Sequence, residues 1–93
     1  MSYEIIIEPE AFEDLLNIKT YIVKQDSDNK ANLFLNELKT QINTLNKMPQ
    51  RYRKSYYTED NDTHDLIYKG YTIVYKIIAL KVYVLTIFRQ KNY

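Results

Sequence analysis

The sequence predicts an α+β domain in which an N-terminal strand and a two-helix antiparallel hairpin precede three antiparallel strands forming one sheet. Three observations predict it. Apolar residues recur at helical spacing through the first half of the 93-residue chain. After residue 64 the period changes to that of strands. The gaps between successive elements are short, which makes neighbours in sequence antiparallel neighbours in space.

Tyr3–Glu8 is a short run of isoleucines with flanking glutamates and predicts the first strand. Pro9 follows, at a position where its missing N–H costs nothing to a starting helix. Glu10, Glu13 and Asp14 then occupy the first turns, where negative charge suits the helix dipole. Phe12, Leu15, Leu16, Ile22 and Val23 make an apolar stripe, so the first helix is expected over about Pro9–Lys24. Residues 25–29 are a polar break in which Ser27 or Asp28 is a good N-cap. A second stripe follows: Ala31, Phe34, Leu35, Leu38, Ile42 and Leu45, ended by Met48-Pro49. Two amphipathic helices joined this closely form a hairpin.

Gln50–His64 reads as an irregular polar segment. Asp65–Lys69, Tyr71–Ile78 and Val82–Phe88 read as strands, with Gly70 and Ala79-Leu80-Lys81 as turns. The helices must then cover one face of the sheet. Phe12, Leu15, Leu38, Ile42, Ile73, Tyr75 and Leu85 are expected in or near the core.

Composition narrows the function. Residues 1–93 are expected to form a single domain. There is no cysteine and one histidine, which argues against a disulfide scaffold, a zinc site or thiol chemistry and fits a reducing cytoplasm. One glycine cannot build a phosphate-cradling loop. No apolar run nears the roughly 20 residues that span a bilayer, so no membrane, metal or cofactor is expected. His64, alone in a polar stretch, is expected to be solvated. Residues 1–45 hold four bases and eight acids, whereas residues 46–93 hold nine bases and four acids. Opposite signs on the two halves suit two surfaces with different partners. Eight of the ten tyrosines fall in the second half, suiting half-buried strands and interfaces.

The candidate contact residues are Arg51, Arg53 and Lys54 after the hairpin, with Arg89, Lys91 and Tyr93 after the last strand. If the irregular segment runs along the sheet, both groups reach its uncovered face or rim. Arginine and lysine neutralise phosphates, and tyrosine stacks on bases or passes a proton. The same residues also read simply as solvated cations at element ends.

The order of pieces resembles one family. Ala11-x-x-Asp14-Leu15-x-x-Ile18-x-x-Tyr21-Ile22 and Ala31-x-x-Phe34-x-x-x-Leu38-x-x-x-Ile42-x-x-Leu45-x-x-x-Pro49 resemble the helical hairpin of toxins of the RelE/ParE superfamily. Gly70–Ile77 resembles their central strand, and Val82–Gln90 their last strand and its exit. The resemblance implies a growth-inhibiting type II toxin neutralised by, and hetero-oligomeric with, a cognate antitoxin. It implies one of two targets. ParE-like members poison DNA gyrase and are not enzymes. RelE-like members cut mRNA on the ribosome without metal, and here would use Arg53, Arg89, Lys91 and Tyr93. RelE-like enzymes usually carry arginine directly after the central strand's aromatic residue, where this sequence has Thr72. Arg89-x-x-x-Tyr93 nevertheless matches a RelE-like ending. The hairpin and Phe88-Arg89-Gln90 are closer to ParE-like sequences, and gyrase is the favoured target. Removing residues 91–93 is expected to leave folding nearly intact and to reduce toxicity.

Overall fold

The computed structural model describes residues 2–55 and 61–89. The elements are β1 (Glu4–Ile7), α1 (Pro9–Gln25), α2 (Asp28–Asn43), β2 (Thr63–Tyr68), β3 (Tyr71–Ile78) and β4 (Lys81–Arg89), with short 3-10 turns at Thr44–Asn46 and Pro49–Arg51 after α2. The strands form one sheet in the order β1-β4-β3-β2. β2, β3 and β4 are antiparallel neighbours, whereas β1 lies parallel to β4. This is the predicted α+β architecture.

Local chemistry explains the ends. Pro9 opens α1, and the Ser27 side chain caps α2 by accepting from the Lys30 backbone N–H at 3.2 Å. Lys69 (φ 47°) and Gly70 (φ 85°) both turn left-handed between β2 and β3. Two such residues make the tight turn whose twist matches paired strands, and only glycine adopts it without strain.

α1 and α2 lie against each other and over one face of the sheet. Their buried stripes are Ala11, Leu15 and Ile18, and Ala31, Leu35, Leu38 and Ile42. Leu66 of β2, Ile73 and Tyr75 of β3, and Val82, Val84 and Ile87 of β4 complete the core beneath them. Two expected core residues differ. Phe12 is 57% exposed, because the inward stripe of α1 runs through Ala11 rather than Phe12. Ala11 and Ala31 are both 0% exposed, so the inward side of each helix begins on a small residue. Leu85 is only half-buried, because β4 carries a bulge at this point: Val84 stands opposite Tyr75 and Thr86 opposite Val74, leaving Leu85 as the extra residue.

His64 also departs from expectation. It lies inside β2, paired with Tyr75, and is 8% exposed. Its ring stacks on Tyr75 with centroids 5.6 Å apart and an interplanar angle of 16°. Its Nδ1 is 2.9 Å from the Tyr52 carbonyl oxygen. A carbonyl only accepts, so Nδ1 carries the hydrogen.

Tyr75 is the fully buried centre of this corner. Its hydroxyl donates to the Pro49 carbonyl at 2.5 Å, and its ring meets Tyr52 edge-on at 6.5 Å. The segment after α2 is thereby fastened to the sheet. Tyr75→Phe should cost about 1–3 kcal/mol, the range for stranding a buried acceptor. Burial first, and the facing Tyr52 second, push the Tyr75 phenol above the ordinary tyrosine range. A raised pKa means that the fold favours the neutral phenol. This stability is full below about pH 10 and is lost as the pH rises above it. Urea unfolding at pH 7 and pH 11 should show a smaller alkaline loss for Tyr75→Phe than for the native chain. Equal losses would contradict the assignment.

Candidate functional site

The face Arg89 presents is set by its place in β4. Arg89 pairs with Tyr71, the first residue of β3, and both turn toward the helices. The guanidinium Nη1 donates to the Tyr21 hydroxyl at 3.1 Å, and its carbon sits 5.7 Å from the Tyr21 ring centroid. Around it lies an open cleft of about 220 Å³, lined by Asp14, Ile18, Tyr21, Tyr71, Ile87 and Arg89 among others. An exposed guanidinium flanked by tyrosine rings combines a fork of donors with flat apolar faces. Such a surface accepts a carboxylate, a carbonyl or an aromatic group from a partner macromolecule.

Asp14 supports this cleft from below. Its Oδ2 accepts from the Thr86 hydroxyl at 2.8 Å and from the Ile87 backbone N–H at 2.9 Å. Asp14 and Tyr21 are seven residues apart on α1 and so share a face. Neither stood out as a site residue in the sequence, although both belong to the apolar-and-polar pattern of the first helix. Only the fold brings them beside a residue 68 or more positions away.

The other basic group takes a different position. Residues 53–55 run along the outer edge of β2: the Asp65 N–H donates to the Arg53 carbonyl at 3.0 Å and the Ser55 N–H to the Thr63 carbonyl at 2.9 Å. Arg51 folds over the Tyr52 ring, 5.0 Å from its centroid, and Lys54 reaches Asn61 at 3.5 Å. Arg53 pairs with Asp65 at 3.5 Å. Alternation along β2 puts His64 and Leu66 on the helix side and Asp65 on the other. Arg53, held by Asp65, therefore stands on the face opposite Arg89. Thr72, 0% exposed opposite Phe88, also lies on the face away from the helices. Lys91 and Tyr93 lie outside the described residues.

Among the described residues no three His, Asp or Glu side chains converge as a metal site requires. Among the same described residues no helix is long and apolar enough to cross a membrane.

Residues 5–92 match the family of the ParE toxin of the type II toxin–antitoxin system parDE. Among solved structures, a chain of the chromosomal ParDE system of P. aeruginosa superposes with a TM-score of 0.84 at 15% identity, covering 97% of this chain and 98% of that one. A chain of the toxin–antitoxin complex RelBE2 of Mycobacterium tuberculosis superposes at 0.66 and 17% identity, covering 99% and 95%. At these identities the likeness is one of fold. The ubiquitin-like modifier-activating enzyme ATG7 of Kluyveromyces marxianus is 30% identical over 82 residues, which are 85% of this chain but 13% of that enzyme. So small a share of the enzyme carries none of its activity over.

Proposed function

The chain belongs to the ParE toxin family of type II toxin–antitoxin systems, and from that membership we propose that it stops bacterial growth by poisoning DNA gyrase, without enzymatic chemistry, through the Arg89 end of β4. The observation that carries this reading is the separation of the cations. A metal-independent nuclease needs positive groups converging on one phosphate as its charge develops. Arg53 is engaged with Asp65 on one face of the sheet, and Arg89 with Tyr21 on the other. The buried Thr72, where RelE-like enzymes usually carry arginine, adds no cation between them. A binding poison needs no such convergence: one exposed arginine with aromatic neighbours suffices as an anchor.

The RelE-like alternative, ribosome-dependent mRNA cleavage, keeps one feature in its favour, the Arg89-x-x-x-Tyr93 ending. Under either reading the toxin acts in the cytoplasm and is held by a cognate antitoxin. Phe12 and Leu16, exposed one turn apart on α1, offer apolar surface to an amphipathic antitoxin helix, and an added strand is the other mode. Induced expression in a bacterium should halt growth, raise the DNA-damage response and leave mRNA whole, and co-expression of the protein encoded beside it should restore growth. An early fall in translation with fragmented mRNA and no damage response would favour the alternative.

A further inference from the structure

Resting on the reading that Arg89 meets the target, we propose that Asp14 is a positioning residue: its grip on the bulge of β4 decides on which face of the sheet Arg89 stands. Val82 and Val84 face the helices, opposite Ile77 and Tyr75. Ile87 and Arg89 face the same way, opposite Ile73 and Tyr71. Two residues, Leu85 and Thr86, stand between Val84 and Ile87, where strict alternation allows one. Without the bulge the phase of every later residue reverses. Thr86 and Phe88 would then turn to the helices, and Arg89 would leave Tyr21 for the opposite face.

The bulge falls where β4 loses its outer neighbour. The β1–β4 register stops at Val84, where the Glu8 N–H donates to the Val84 carbonyl, and the chain turns into α1. Past that point, among the described residues, the outer edge of β4 has no strand beside it. Asp14, in the second turn of α1, takes the Ile87 N–H and the Thr86 hydroxyl on one carboxylate oxygen, at 2.9 and 2.8 Å. These two bonds span the residues that follow the extra one. They satisfy a backbone donor that the bulge frees and tie the phase of the strand end to the helix carrying Tyr21.

The test uses the full chain with Asp14→Ala, Asp14→Asn, and Asp14→Ala in a chain lacking Leu85. Three readings are taken: thermal midpoint, NMR contacts between the Arg89 side chain and the Tyr21 ring, and growth inhibition under titrated expression. Asp14→Asn keeps an acceptor oxygen and should keep contact and toxicity. Asp14→Ala should stay folded, lose the Arg89–Tyr21 contact and lose about tenfold or more in toxicity, as for removal of a charged hydrogen-bonding group. Deleting Leu85 removes the extra residue, so Asp14→Ala in that background should retain the contact. Should Asp14→Ala fail to fold, Asp14→Ser and Thr86→Val, which weaken the grip by steps, are read for the same contact. An unchanged contact in Asp14→Ala, or lost toxicity with the contact intact, overturns the proposal. A native chain that is not toxic overturns the functional reading instead, and the NMR contact then decides the positioning role alone.

Discussion

Leu38→Ala should lower the free energy of unfolding by about 2–5 kcal/mol, the range for emptying a buried leucine site. Leu38 is 0% exposed at the middle of α2, in the cluster where both helices meet the sheet. Its loss leaves a cavity that neighbours on two helices and the sheet cannot all close at once. A domain of this size has only about 5–15 kcal/mol in total, so the variant should unfold at visibly lower urea. Phe12→Ala is the matched control. Phe12 is larger but more than half exposed, and its removal should cost under about 1 kcal/mol. Urea titrations followed by circular dichroism measure both. Equal costs, or a larger cost at Phe12, would show that the α1 stripe has been put on the wrong residues.

Arg89→Ala should leave folding nearly unchanged and reduce growth inhibition by about 30-fold or more, as expected for an arginine anchor worth at least about 2 kcal/mol at an interface. The residue is exposed, and its described contacts are with the Tyr21 hydroxyl and ring at the surface. Little packing is lost with it. Arg89→Lys should not restore full toxicity, because an ammonium cannot reproduce a planar fork lying against a tyrosine ring. The measurement is growth at matched expression together with a thermal midpoint. Native toxicity in Arg89→Ala would remove the strand end from the functional surface.

The fold was legible because its signals are local. The 3.6-residue spacing around Leu15 and Leu38, the cap expected at Ser27 or Asp28 and the turn at Gly70 each act over a few residues. β3, predicted over Tyr71–Ile78, has those ends. What escaped the sequence depends on contacts between distant segments. Phe12 outweighs Ala11 in any apolar stripe, yet it is Ala11 that the packed helix buries and Phe12 that it leaves exposed. The stretch Val82–Phe88 is apolar nearly throughout, so no alternation reveals a bulge at Leu85. His64 looked like a loop residue because β2 opens with Thr63, His64 and Asp65, polar side chains whose burial depends on partners elsewhere. The candidate site divides the same way. Arg89 was visible as a cation at a strand end. Tyr21 and Asp14 were not visible as its companions, because only the packing of α1 on β4 brings them together.

The proposed poisoning of gyrase and the alternative cleavage of RNA make opposite demands on the purified protein. The most direct test incubates the purified protein with DNA gyrase, ATP and supercoiled plasmid, and separately with translating ribosomes and mRNA. Trapped gyrase–DNA cleavage complexes that rise with toxin concentration, are weakened by Arg89→Ala and leave the mRNA intact are the predicted result. Cleavage of mRNA only when ribosomes are present, with gyrase turning over normally, would contradict it.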